Sequence, residues 1–332
     1  MRYIQLKPSA FSVATLRKQK GMTIIEIMVA MVIMMVVLAA ILLNVSSSTK
    51  SGRLQQSLSQ MMEDGQIALN TIARGVRNAG YEEFTEVPDP LKDRPRLRNS
   101  VTLLDSPYLL GCQGANVSTT VSSSVADWGA ACPAVGTGSD SIALRYQGGQ
   151  LQQIPVGSVS ATDLDPRDCS GEEVTGSANE LTRADGSTIM IVDNRFYISG
   201  NTLMCWGNGK NGATELVSNI VQMKLWYGVA ERVKDSGGFV TTAKVTSGYM
   251  TASQVASSFP NETVSGTEGY DRWNRVTSVR VCVLVRSREP VSSAPSFDYT
   301  DCDGVAQPDP GTGYLHRAMF TTVEIPNVGA GF

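Results

Sequence analysis

The sequence predicts an α+β protein: one long N-terminal helix, membrane-spanning in its first half, packed on a mainly antiparallel β-sheet with disulfide-stapled loops. Three observations carry this. Residues 22–43, MTIIEIMVAMVIMMVVLAAILL, are apolar except for Thr23 and Glu26. Residues 44–80 contain no proline and repeat apolar positions every three or four residues. Beyond residue 140 the chain turns to short alternating segments separated by Gly and Asn. A length of 332 residues allows one to three domains.

The N-terminal 20 residues hold Arg2, Lys7, Arg17, Lys18 and Lys20 and no acid. The apolar run that follows is long enough, at about 1.5 Å per residue, to cross a bilayer core of about 30 Å. The basic flank keeps that end in the cytoplasm, so the remainder lies outside. A secretory signal would have an apolar region of only about 7–15 residues, and Ala39-Ala40 is a weak cleavage site. Glu26 is the anomaly. A carboxylate inside a membrane helix costs about 2.5–3.5 kcal/mol at the centre, less near a helix start. It either sits among headgroups or awaits a cationic partner in an assembly.

Leu54, Leu58, Met61, Gly65, Ala68, Leu69, Ile72 and Val76 make one apolar helix face, with Gln56, Glu63, Asn70, Arg74 and Arg77 opposite. One helix from Met22 to Asn78, closed by Gly80, would be roughly 85 Å long. Asn44, Ser46, Ser47, Ser48 and Gly52 are its weakest formers. Gly65 and Gly75 either admit close approach of a sheet or are merely tolerated. Residues 81–100 read as a Pro-rich, charged loop, and 111–140 as a Ser/Thr/Gly-rich surface excursion. Strands are expected at Ser141–Tyr146, Thr188–Val192, Arg195–Ile198, Thr202–Trp206, Val221–Tyr227, Val276–Val285 and Arg317–Ile325. Asn201 and residues 207–212 mark turns, and Tyr249–Ser257 a short helix. The globular part is thus 81–332, following a helix over 22–80 whose residues 22–43 span the membrane.

The chemistry-bearing residues are few. His316 is the one histidine, expected as a hydrogen-bonded turn residue. Cys112, Cys132, Cys169, Cys205, Cys282 and Cys302 all follow the membrane segment, so they face an oxidising compartment, and no CxxC spacing is present. Three disulfides in fifteen possible connectivities follow; sequential pairing is the expectation, each bond contributing about 3–4 kcal/mol by chain entropy. Asp301-Cys302-Asp303-Gly304, with Asp309, hints at a calcium loop but lacks the spaced carboxylates and terminal Glu of an EF-hand, so a solvated acidic turn is expected. Asp163, Asp165 and Asp168 read the same way. No metal or cofactor is expected. Trp128, Trp206, Trp226 and Trp273 are candidate partner contacts, with Trp226 assigned to the core.

The string Lys20-Gly21-Met22-Thr23-Ile24-Ile25-Glu26, followed by an unbroken apolar run, resembles the cleavage motif of type IV prepilins. The resemblance implies a pilin-like ladle and a prepilin peptidase that removes the leader 1–21, cutting after Gly21. It also implies methylation of Met22 and a Glu26 that neutralises the new amine of a neighbouring subunit. Major pilins usually have Phe where Met22 stands; minor pilins vary. Segments Phe196–Trp206, Leu216–Tyr227, Val276–Arg288 and Tyr314–Asn327 resemble the strands of PilW-type minor pilins, and Ile72–Tyr81 resembles the end of their helix. That family implies a low-abundance subunit that primes pilus assembly with other minor pilins and the major pilin. It is held in the inner membrane with a periplasmic C-terminal domain. Later it is extracellular near the pilus tip, in reach of a large tip adhesin. Retention of Glu26 implies a place beneath another subunit.

Without the leader, 23 basic residues face 31 acids, a net charge of −8, which disfavours generic nucleic-acid binding. One histidine and no nucleophile motif disfavour an enzyme. The alternatives to a minor pilin are a tip-borne binding module acting through residues 85–140 or 230–270, and a type II secretion pseudopilin.

Overall fold

The computed structural model describes residues 21–81, 108–117, 132–148, 166–182, 188–209, 212–234, 240–258, 263–264, 267–268, 273–291 and 298–327. It divides into two compact units, Met1–Arg53 and Leu54–Phe332. In the first unit α1 (Ile24–Asn78) begins, and every large apolar residue from Met22 to Val45 is exposed. This is the one described helix long and apolar enough to cross a membrane.

In the second unit the same helix buries Met61, Ala68, Leu69, Ile72 and Val76, the three-and-four spacing of its sequence. The strands are β1 (Leu109–Cys112), β2 (Ser141–Gln147), β3 (Glu180–Thr182), β4 (Thr188–Ser199), β5 (Thr202–Gly207), β6 (Ala213–Ser218), β7 (Ile220–Lys234) and β8 (Val240–Met250). A short helix α2 (Ala252–Ser258) follows. Then come β9 (Thr263–Val264), β10 (Thr267–Glu268), β11 (Val276–Arg286), β12 (Tyr299–Thr300), β13 (Ala306–Gln307) and β14 (His316–Glu324). All pairing among them is antiparallel.

The fold is α+β, with two main sheets where the sequence suggested one. The first runs β1-β2-β4-β5-β6, with β3 on β4; the second runs β14-β11-β7-β8. Eight strands were not expected: the short β1, β3, β6, β9, β10, β12 and β13, and the longer β8, whose Val240–Met250 mixes Thr, Lys, Ser and Gly. β4 is continuous where two strands were expected, because the polar interruption Asp193-Asn194-Arg195 is buried with partners.

Each sheet meets α1 at a glycine. A Cβ on Gly65 would strike the Met319 sulfur and lie 2.9 Å from Val285 Cγ2, both in the second sheet. A Cβ on Gly75 would lie 2.9 Å from the Phe196 ring and 3.0 Å from Leu144 Cδ1, both in the first. Both glycines therefore serve close approach. Asp140, at the entrance to β2, ties sheet to sheet: its Oδ1 accepts from Gly114 N–H at 2.8 Å and its Oδ2 from Leu225 N–H in β7 at 2.9 Å. The helix end is held by Gly80 at φ 71°, whose N–H donates to Arg145 C=O at 2.8 Å. Asn327 Nδ2 donates to the carbonyls of Arg77 and Ala79 at 2.9 and 3.1 Å, satisfying acceptors that a helix terminus leaves open.

Filling either contact should overpack the seam. Gly65→Leu and Gly75→Leu are expected to cost about 1–3 kcal/mol net and lower the melting temperature by several degrees. Gly52→Ala, where a Cβ meets nothing within 4 Å, should be neutral or stabilise by about 1 kcal/mol. Thermal unfolding followed by circular dichroism checks all three; an undisturbed melt for both leucine variants would contradict the seam.

Candidate functional site

The candidate site at the N-terminus is a segment, not a pocket. Gly21, Met22 and Thr23 precede the helix, and a Cβ on Gly21 would meet nothing within 4 Å. Met22 is 72% exposed. The first turn closes as Glu26 N–H and Ile27 N–H donate to Thr23 C=O at 3.1 and 3.3 Å. Thr23 is thereby the N-cap and Glu26 the third helical residue, the Thr-x-x-Glu spacing of a capping box. Glu26 also lies where the helix dipole favours an anion. The Thr-x-x-Glu spacing suits this acid to the helix start whatever partner it has, and the sequence reading passed over that spacing.

The six cysteines are joined as Cys112–Cys132, Cys169–Cys205 and Cys282–Cys302, with Cα separations of 5.2, 6.1 and 5.7 Å. The third bond fastens the 298–315 segment over one end of the outer face of the second sheet. There Cys282, Leu284 and Cys302 form a small apolar cluster bordered by Val221, Trp226, Tyr299 and Ala318. Trp226 is therefore not in the main core. Met223, Leu225 and Tyr227 point inward from β7, so alternation turns Trp226 to the outer face. Arg280 lies over its ring at 5.7 Å and over that of Phe320 at 5.2 Å. Trp273 is the buried one, edge-on to Tyr227 at 5.1 Å. Trp206 lies in β5; Trp128 falls outside the described residues.

The carboxylates of the acidic turns accept from protein donors. Asp301 accepts from the N–H groups of Asp303 and Val305 at 3.0 and 2.9 Å and from Gln307 Nε2 at 2.7 Å. Burial works to raise its carboxyl, but the donors from Val305, Gln307 and Asp303, with Lys224 nearby, hold it below the usual carboxylate range. Asp168 accepts from Ser170 N–H and Oγ, Glu172 N–H and, across the sequence, Gly209 N–H. Asp163 and Asp165 lie outside the described residues, as do much of 85–140 and parts of 230–270. Among the described residues no group of three His, Cys, Asp or Glu side chains could hold a metal.

One buried charge cluster escaped the sequence reading. Asp193 Oδ2 accepts from Arg195 Nη2 at 2.9 Å and lies 3.8 Å from Arg145 Nη2, all three side chains being buried. Its members are neighbours across β2 and β4, where Arg145 is registered opposite Asp193. The exposed Arg288 donates to both carboxylate oxygens of the buried Asp64 on α1, at 3.1 and 2.6 Å.

The chain matches the family model of the type IV pilus-assembly protein W over residues 188–327 and that of the prokaryotic N-terminal methylation motif over residues 16–42. The first match begins with β4 and ends at Asn327; the second contains Gly21, Met22 and Glu26. Among solved structures the chain is similar to a type IV-like pilin from Thermus thermophilus, at 13% identity over 83% of this chain and 98% of that one, with a TM-score of 0.31. Comparison with curated proteins gives no match.

His316 opens β14 instead of occupying a turn; it stacks on Tyr299 at 4.6 Å, opposite Arg286 in the ladder. Burial lowers its pKa, the Tyr314 backbone works to raise it, Arg286 lowers it and Asp309 raises it; the result is below the ordinary value. The unfolded chain therefore takes up this proton first as pH falls. Stability from this group is present above the unfolded value and lost as pH drops through the folded one. Asp140, raised by burial against its N–H donors and Lys224, has the opposite sign in the acid range. Because the sequence has one histidine, His316→Phe should flatten the fall in melting temperature between about pH 7.5 and about pH 5.5. An unchanged difference in that window would remove His316 as its source.

Proposed function

We propose that this PilW-like type IV pilin is a minor pilin that helps prime pilus assembly and is incorporated at or near the pilus tip, held by its N-terminal helix. The observation that carries the reading is the coincidence of a methylation motif over residues 16–42 with a helix whose large apolar residues are exposed from Met22 to Val45. An apolar surface of that length is covered by lipid or by protein. In the proposed sequence of events a prepilin peptidase cuts after Gly21, removing the 1–21 leader. The new N-terminus at Met22 is methylated, and the helix waits in the inner membrane with the disulfide-bonded domain in the periplasm. The helix then leaves lipid for the filament, where Glu26 neutralises the amine of a neighbouring subunit. Partners are other minor pilins, the major pilin and a large tip adhesin. The division between helix over 22–80 and globular domain over 81–332 belongs to the same reading.

The PilW-type match over 188–327 favours the pilus over a type II secretion pseudopilus, which the N-terminal motif serves equally well. A tip-borne binding role through residues 85–140 or 230–270 remains compatible with the minor pilin reading, since it asks only that the same anchored domain present a loop.

Two substitutions in the native host test this. Gly21→Leu should abolish processing and, with it, surface pili. Lost processing with normal pili and failed protein secretion would move the chain to the pseudopilins, while normal processing would overturn the cleavage reading. Glu26→Gln keeps a side chain able to cap the helix start but removes the charge. It should still be processed at Gly21 yet assemble poorly, whereas normal piliation would assign Glu26 to capping alone.

A further inference from the structure

We propose that the open edge of β14 pairs with an extended segment of another polypeptide, which adds a strand to the β14-β11-β7-β8 sheet. The direction of the backbone groups follows from two bonds that flank the ladder. Ile325 N–H donates to Thr277 C=O at 2.8 Å, and Ser287 N–H donates to Leu315 C=O at 2.9 Å. The register between them runs unbroken from Ser278 opposite Glu324 to Arg286 opposite His316. Antiparallel bonding alternates, so odd-numbered residues of β14 turn their N–H and C=O to β11, and even-numbered residues turn theirs outward. Ala318, Phe320 and Thr322 thus present three N–H groups and three C=O groups along the edge, about 7 Å apart. Among the described residues no strand other than β11 pairs with β14. Donors and acceptors at that spacing are complementary to one chemistry, a second extended backbone.

Natural sheets protect such edges with short strands, bulges, prolines or charges. The other described edges do so: β1 has 4 residues, β6 is short, carries Glu215 and has a register shift against β5, and β8 has two shifts against β7. β14 has 9 residues, no shift, and a central Ala318–Val323 stretch without charge or proline. Phe320 at its middle is 45% exposed, backed by Arg280 at 5.2 Å. The exposed Arg280 stands beside Phe320 at the strand centre, while Glu324 and Asp309 lie towards its two ends, so the centre favours an acidic occupant with an apolar side chain over Phe320.

The choice of occupant among other polypeptides rests on the assembly reading, so processing at Gly21 is scored in the same samples. The full chain, carrying a photoreactive phenylalanine analogue in place of Phe320, is irradiated in the native host. The expected result is an adduct with a different polypeptide, reduced about tenfold by Thr322→Pro and by Ala318→Pro. Each proline removes an outward N–H and leaves the bonds to β11 intact. Thr322→Val should keep the adduct. If the proline variants do not form their disulfides, Thr322→Lys, which charges the edge without breaking the ladder, must diminish the adduct instead. No adduct, an adduct indifferent to these substitutions, or one made of two copies of this chain would overturn the proposal. Loss of processing would count against the cleavage reading and not against the edge.

Discussion

The second unit depends on how closely α1 can approach two sheets at once. Ten residues separate Gly65 from Gly75, and at about 100° per residue that places them on adjoining parts of the helix surface. One faces Met319 and Val285, the other Phe196 and Leu144. Between them Ala68, Leu69 and Ile72 are buried in the same apolar cluster that takes in both sheets. A helix with full-sized side chains at both glycines would hold the sheets away and leave gaps that the cluster could not fill, since interiors are packed to crystal-like density. The small residues cost helix propensity, about 1 kcal/mol for each glycine against alanine, and packing offsets it.

Given that seam, the remaining joints are polar and local. Asp140 reaches from the entrance of β2 to a backbone N–H of β7, so the two sheets share a carboxylate as well as a core. Arg145, Asp193 and Arg195 sit within the first sheet, where three charged groups would be costly unless paired, and both arginines make further interactions. Asn327 closes the circuit by returning the C-terminal segment to the helix end. The disulfides act beyond this frame. Cys282–Cys302 holds down the 298–315 segment, whose regular structure is limited to the two-residue strands β12 and β13.

The sequence made the helix and the best strands legible because each has one dominant period. The apolar run at 22–43 and the three-and-four repeat after it need no tertiary information. VTSVRVCVLVR reads as an alternating, half-buried strand; β11 occupies those residues but is buried at nine of its eleven positions, both faces being covered. What escaped was set by contacts between distant residues. Asp193-Asn194-Arg195 looks like a break in a strand until Arg145 is placed opposite Asp193. Trp226 looks like core until the inward phase of Met223 and Leu225 is known. β8 has no clear alternation and exists through its pairing with β7. The division into two sheets was not legible because β6 and β7 are separated by Asn219 alone, a residue at φ 65°. At the N-terminus the motif residues were legible, and so was the Thr-x-x-Glu spacing, which was passed over because the anomaly of an acid in an apolar run drew the explanation.

The two units solve opposite problems. Leu54–Phe332 buries its apolar content against itself and adds three covalent links, so its order is internal. In the first unit, by contrast, the described helix residues bury nothing. A lone helix in water gains little from propensity, and its apolar side chains gain nothing at all there. Its stability must come from surroundings that are themselves apolar. A bilayer supplies them, because lipid leaves each peptide group only the intrahelical partner and so enforces the helix. A bundle of like helices supplies them equally. Within residues 22–43 only Thr23 and Glu26 are polar, and Glu26 is the one charged residue. A carboxylate costs more in lipid than beside a polar protein group, whereas the apolar residues around it gain from either surrounding.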